Sequence, residues 1–141
     1  MVKVAGRYGG VYFTHQRSES GRIFASLDEV FTNAGRAGIP AEIWHLKTAY
    51  KANLGKISEL LRRIEAARAR GLDVTANQYP YDRASNGLEA CVPLWVREGS
   101  LDKMIARLQD PALRERIKKD MDEPNPQSWE NQFWATIQLI D

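Results

Sequence analysis

Residues 41–79, AEIWHLKTAYKANLGKISELLRRIEAARARGLDVTANQY, hold a strand, a helix and a second strand in succession. Ala41-Glu42-Ile43-Trp44-His45-Leu46 is a short, largely apolar run of strand length. A polar loop from Lys47 to Asn53 leads into a helix over Leu54 to Arg70. Its apolar positions Leu54, Ile57, Leu60, Leu61, Ile64 and Ala67 recur at helical spacing, while Arg62, Arg63, Arg68 and Arg70 form a cationic face read as solvated surface. Gly71 closes the helix, and Leu72 to Tyr79 reads as the next strand.

The same rhythm precedes this stretch. Gly10-Val11-Tyr12-Phe13-Thr14-His15 reads as a strand and Gln16 to Arg22 as a polar loop. An amphipathic helix follows, about Ala25 to Ala37, with Leu27, Val30, Phe31 and Ala34 on one face, ended by Gly38 and Pro40. Strands alternating with helices in this way predict parallel α/β architecture. A closed (β/α)8 barrel takes about 250 residues. At 141 residues the chain is therefore either a small open sheet or a slice of a barrel.

Beyond Tyr79 the pattern changes. Residues 80–99, with Pro80, Gly87 and Pro93, form a long connection of the kind usually kept for function. Ser85, Asn86 and Gly87 within it are turn residues. Two helices are expected next, about Ser100 to Leu108 capped by Ser100 and about Pro111 to Met121 capped by Asp110. Glu123 to Gln127 reads as a linker and Ala135 to Ile140 as a fourth strand, whose abrupt end suggests truncation. The expected organisation is a partial β/α barrel over 1–99, an inserted helical segment over 100–128 and a truncated return over 129–141.

Composition supports a globular protein, 43% hydrophobic and 27% charged. Twenty basic against 18 acidic residues, a net charge of +2, argue for neither nucleic acid nor membrane as a partner. No apolar stretch approaches the roughly 18 residues of a membrane-spanning helix, and the N-terminus does not read as a signal peptide. The single cysteine, Cys91, excludes an internal disulfide. The compartment stays open, with the cytoplasm favoured.

The chain's two histidines, His15 and His45, fall at the C-terminal ends of successive expected strands, where parallel β/α folds build their sites. Each is followed two residues later by a cation, Arg17 or Lys47, and residues two apart on an extended chain project to the same side. Imidazoles can ligate zinc, and the cations can bind a carboxylate. The bland alternative is that both are hydrogen-bonded histidines without a ligand role. Two imidazoles also fall short of the roughly four ligands of a zinc site. Glu19, Asp82, Glu89 and Cys91 are further candidates, none at a recognised ligand spacing. Tyr79, at the third strand end, could donate to a carboxylate or oxyanion or simply pack on the loop. Trp129 and Trp134 read as core or domain contacts.

Taken in order, these segments resemble those of one family. Phe13-Thr14-His15-Gln16-Arg17-Ser18-Glu19 is similar to the Thr-His-x-Arg-x-Glu strand end of D-aminoacylase-like amidohydrolases. Ile43-Trp44-His45-Leu46-Lys47 resembles their Ser-His-x-Lys segment, with Trp44 where Ser usually stands. Asn77-Gln78-Tyr79-Pro80-Tyr81 resembles their Asp-x-Tyr-Pro-Tyr segment, with Asn77 in place of the first Asp. Asn53-Leu54-Gly55-Lys56 and Trp129-Glu130-Asn131 also fit, so the likeness runs along nearly the whole chain.

The resemblance implies a metal-dependent (β/α)8 barrel of which this chain supplies about strands five to seven. His15 and His45 would be zinc ligands. Lys47 and Tyr79, with Arg17 and Tyr81 as further candidates, would hold the carboxylate of an N-acyl-D-amino acid. The implied reaction is hydrolysis of its amide bond. The family's His-x-His, bridging cysteine and general-base aspartate have no counterpart, and Cys91 lies in the wrong place for the bridging role. The isolated chain is accordingly expected to be inactive and prone to self-association through exposed barrel edges. The alternatives are hydrolysis of another linear or cyclic amide, a non-catalytic β/α module binding a small carboxylate through Arg17 and Lys47, or a truncated product without a stable fold.

Overall fold

The structure is a computed structural model, and it describes residues 1–81, 85 and 87–122. The chain divides into two compact units, Met1–Tyr81 and Asp82–Asp141. The expected linker at Glu123 to Gln127, the fourth strand at Ala135 to Ile140, Trp129 and Trp134 lie outside the described residues, as do Asp82 and Asn86.

The first unit runs α1 (Val2–Gly6), β1 (Tyr12–Thr14), α2 (Ile23–Ala37), β2 (Ala41–Ile43), a one-turn 3-10 helix (Lys51–Asn53), α3 (Ile57–Ala69) and β3 (Val74–Ala76). The strands form a parallel sheet in the order β1-β2-β3, with Tyr12 opposite Ala41 and Ala41 opposite Val74. This is the parallel α/β arrangement that the alternating pattern predicts.

Helix α2 places Ile23, Leu27, Val30, Phe31 and Ala34 in the core, at the spacing that keeps side chains on one helical face. Gly38 ends it in a left-handed conformation, φ 66°, and returns its N–H to the Ala34 carbonyl at 2.8 Å. Helix α3 adds Leu60, Ile64 and Ala67, and the strands add Ala41, Ile43 and Val74. Ile23, Leu27, Ile43, Leu60 and Val74 are fully buried. At about 1.5–3 kcal/mol for each large apolar side chain removed from water, this cluster supplies the unit's main driving force. The alternate strand positions, Phe13, Glu42 and Thr75, share the sheet's other face, where Phe13 is half exposed.

Several local expectations are corrected. The helix expected from Leu54 begins at Ile57, and Leu54 is exposed. Leu61 is also exposed, because the buried stripe of α3 is the narrower Leu60-Ile64-Ala67 row. Part of its cationic face is not simply solvated. Arg68 donates to the Val74 carbonyl at 2.6 Å, and Arg63 lies over the Phe24 ring at 4.5 Å. All three strands are shorter than their apolar runs, because the chain leaves the ladder at the rim that carries the histidines. Helix α1 has no apolar periodicity to announce it and closes through hydrogen bonds local to residues 1–10.

The second unit contains a 3-10 turn (Leu88–Cys91), α4 (Leu94–Arg97), α5 (Leu101–Gln109) and α6 (Pro111–Asp122). The long connection expected over 80–99 therefore includes two short helical turns. The caps of the last two helices are those read from the sequence. Ser100 accepts from the Lys103 N–H, and Asp110 accepts from the Ala112 and Leu113 N–H groups at 2.8 and 3.1 Å. Val96 and Ile117 are buried, and Trp95 donates to Asp120 at 2.9 Å beneath the Arg116 guanidinium.

Candidate metal centre

The register that sets Thr14 opposite Ile43 brings the residues just past β1 and β2 to one rim of the sheet. There His15 Nδ1 and His45 Nε2 face each other at 2.9 Å, the rings meeting edge to face with centroids 4.6 Å apart. Both residues named from the sequence are therefore brought together. Two nitrogens bound to one zinc at about 2.05 Å in tetrahedral geometry stand about 3.3 Å apart, so a small opening of this pair accommodates the ion.

His45 is held by its backbone as well as its ring. It adopts a left-handed conformation, φ 41°, which residues with a Cβ seldom take outside constrained sites. Its N–H donates to Asn77 Oδ1 at 2.8 Å, and the next N–H, of Leu46, donates to the Asn77 carbonyl at 2.8 Å. Trp44 donates its own N–H to the Thr14 carbonyl at 3.0 Å, tying this turn to the β1 end.

Glu19 enters the site from the loop after β1. That loop reads as merely polar but folds inward. Gln16, Ser18 and Ser20 are buried, and Ser26 of α2 accepts the Ser18 N–H at 3.1 Å. The Glu19 carbonyl accepts from the Ala49 N–H at 2.7 Å, and its Oε1 lies 2.6 Å from Lys47 Nζ and 2.9 Å from His45 Nδ1. His15, Glu19 and His45 thus offer ligand atoms all within 4.8 Å of one another. Glu19 could not be singled out by spacing, because its approach depends on the loop and on Ala49. Its signal was only its place within the strand-end segment.

Lys47 reaches both Glu19 and His45 Nδ1, the latter at 2.9 Å, and its ammonium stands 5.5 Å from the centre of the Tyr79 ring. Tyr81 stacks on Tyr79 with ring centroids 6.2 Å apart. Burial first, and the Glu19 charge second, push the Tyr79 phenol above its ordinary pKa, so it keeps its proton and can donate. Desolvation lowers the His15 pKa, against a smaller opposing pull from Glu19; the charges of His45 and Lys47 lower it further. That shift favours the neutral imidazole, the form that binds metals.

Arg17 is placed differently. Its guanidinium makes a two-pronged pair with Glu29 of α2, at 2.7 and 2.9 Å. Beside it opens a cleft of about 250 Å³, lined in part by His15, Gln16, Arg17 and Glu29. The Gln16 side chain is buried there, with no hydrogen-bond partner for either polar atom among the described residues. Glu89 and Cys91, also considered from the sequence, lie in the second unit.

No protein-family model matches the sequence. The chain is 40% identical over 82 residues, 58% of its length, to a D-aminoacylase of Alcaligenes xylosoxydans xylosoxydans. It is 35% identical over 85 residues to an N-acyl-D-glutamate deacylase of the same organism. It spans 17% of the length of each of these relatives. A crystal structure of D-aminoacylase, described as defining a novel subset of amidohydrolases, matches 56% of this chain and 16% of that one, with a TM-score of 0.54 and 39% identity. A D-aminoacylase structure devoted to the role of a binuclear metal centre matches with the same TM-score. An N-acyl-D-glutamate deacylase from Bordetella bronchiseptica, complexed with zinc and a phosphonate mimic of the tetrahedral intermediate, matches 57% of this chain at 28% identity and a TM-score of 0.54. The likeness to D-aminoacylases read from the strand-end segments is borne out in sequence and in structure, over part of the chain and a smaller part of each relative. Among the described residues, no helix is long and apolar enough to cross a membrane.

Proposed function

We propose that this chain, a relative of the D-aminoacylases, supplies about strands five to seven of a zinc-dependent (β/α)8 amidohydrolase that cleaves the amide bond of N-acyl-D-amino acids. The observation that carries the reading is the facing pair His15 Nδ1 and His45 Nε2, backed by Glu19 and Lys47 on the other side of the His45 ring.

The residues divide the work. Lys47 Nζ stands 2.6 Å from Glu19 and 2.9 Å from His45 Nδ1. With that ammonium turned to a substrate carboxylate, His45 Nδ1 can carry a proton for Glu19, 2.9 Å away. That tautomer turns the Nε2 lone pair towards His15, and a carboxylate behind a ligand imidazole fixes its aim and raises its basicity. Glu19 thus orients a ligand, while His15 and His45 hold the ion. Zinc bound there would polarise an amide carbonyl and lower the pKa of a water. The substrate carboxylate would take the Lys47 ammonium and the Tyr79 hydroxyl, the Tyr79 ring centre lying 5.5 Å from that ammonium and 6.5 Å from the His45 ring centre. Arg17, now held by Glu29, and Tyr81, stacked on Tyr79, are the outer candidates for that carboxylate.

Two imidazoles leave the coordination short of roughly four ligands, and no general-base aspartate is assigned in this chain. The isolated chain is therefore proposed to bind zinc weakly, to be inactive and to self-associate through its sheet edges. The test compares release of free amino acid from N-acetyl-D- and N-acetyl-L-amino acids by the gene product at its natural ends, with and without zinc. Zinc-dependent release from the D form is expected. A folded, zinc-loaded protein inactive on both would overturn the linear-amide assignment and turn attention to cyclic amides or to carboxylate binding alone.

A further inference from the structure

We propose that Asn77 is the positioning residue for His45, and that Glu42 dictates an amide rather than a carboxylate at position 77. The inference rests on the reading of His45 as a metal ligand given above.

His45 turns the chain out of β2 through a left-handed conformation, φ 41°. Three hydrogen bonds to one residue of the neighbouring strand end secure that turn. Asn77 Oδ1 accepts the His45 N–H at 2.8 Å, the Asn77 carbonyl accepts the Leu46 N–H at 2.8 Å, and the Asn77 N–H donates to the Ile43 carbonyl at 3.1 Å. Because the Cβ direction follows the backbone, the imidazole's aim at His15 depends on this turn holding.

The amide of Asn77 is itself oriented. Its Nδ2 donates to Glu42 Oε1 at 2.9 Å, and Thr75 donates to the other Glu42 oxygen. With Nδ2 committed to the carboxylate, Oδ1 must face the His45 N–H. In the segments this chain resembles, an Asp usually stands at position 77. Here an Asp would still accept from His45, but it would set two carboxylates against each other at Glu42, and like charges in contact repel. An acid at 42 and an amide at 77 therefore form a matched pair that fixes the histidine without stacking negative charge beneath the metal centre.

The experiment uses Asn77→Ala, Asn77→Asp and the double variant Glu42→Gln/Asn77→Asp in the gene product at its natural length. Zinc affinity is read by chelator competition, the ligand field by the visible spectrum of bound Co²⁺, and the turn by hydrogen exchange of the His45 amide in metal-free protein. Asn77→Ala is expected to speed exchange at His45 and to weaken zinc by about 10–100-fold, the usual cost of losing a group that orients a ligand. Asn77→Asp should weaken zinc by a similar factor, and the double variant should regain most of the loss. A protein too unstable as Asn77→Ala is still decided by the rescue, since Asp alone and Asp with Gln differ only at residue 42, where an amide that can donate replaces the second carboxylate. Unchanged His45 exchange and zinc affinity in Asn77→Ala, or no rescue by Glu42→Gln, overturns the proposal. Zinc binding indifferent to His45→Ala would instead overturn the metal reading on which it rests, so that variant, measured beside the wild type, shows which has failed.

Discussion

At the end of β2, His45 donates its backbone N–H to Asn77, meets Glu19 and Lys47 through Nδ1 and meets His15 through Nε2. At the end of β1, His15 is exposed, and its neighbour Gln16, only 1% exposed, buries an amide with no partner among the described residues. The two strand ends are alike in sequence, each an apolar run, a histidine and a cation two residues on, yet the ring and the backbone N–H of His45 are both engaged, whereas the Gln16 amide beside β1 has no partner among the described residues. A strand-end motif supplies the donor atoms; how firmly they are aimed depends on what the neighbouring loops and strands bring. Among the described residues the middle strand has neighbours on both sides, while β1 has one.

The largest effect should come from removing what both ends share. Leu27 of α2 is fully buried within the core cluster beneath the sheet. Leu27→Ala should cost about 2–5 kcal/mol by leaving a cavity. A chemical-denaturation curve would show the loss, and zinc binding should fall together with folding. A stable Leu27→Ala protein with its zinc affinity intact would mean that the rim is held independently of this core.

Much of this was legible in the sequence, and the reasons differ by residue. Leu27, Val30, Phe31 and Ala34 repeat at helical spacing, so α2 and its buried face could be read directly. His15, His45 and Lys47 were legible because strand ends are where such folds place their chemistry. Glu19 was legible only as one of four further candidates, since its approach to Lys47 requires the Gln16 to Arg22 loop to fold inward over Ser26. The His45 turn and its hold by Asn77 were hidden, since apolar periodicity carries no information on a single positive φ. Leu54 misled because it continues the apolar rhythm of α3 one turn before the helix begins, on the exposed side.

The second test addresses the two ends separately. His15→Ala and His45→Ala should each weaken zinc binding, measured by chelator competition. The loss should be greater for His45 by about tenfold, or 1.4 kcal/mol, because a ligand already held in place costs less entropy to use. If neither substitution changes affinity, the ligand assignment is wrong. If the two losses are equal, the backbone hold on His45 contributes nothing to binding, and the contrast between the ends is only geometric.

The smallest effect is the sharpest test of what β1 lacks. A buried amide left unpaired costs about 1–3 kcal/mol, and an apolar group of similar shape avoids that cost. Gln16→Met should therefore stabilise the 141-residue chain by about 1 kcal/mol, read as a rise in the denaturation midpoint at constant slope. The same substitution in the gene product at its natural ends separates two cases. Stabilisation there as well would make Gln16 an unpaired group in both settings. Destabilisation there, with stabilisation in the chain, would mean that a group beyond the described residues meets the amide beside β1, as a neighbouring barrel strand would. Destabilisation in the chain itself would show that Gln16 is already answered, and the difference drawn between the two strand ends would fall with it.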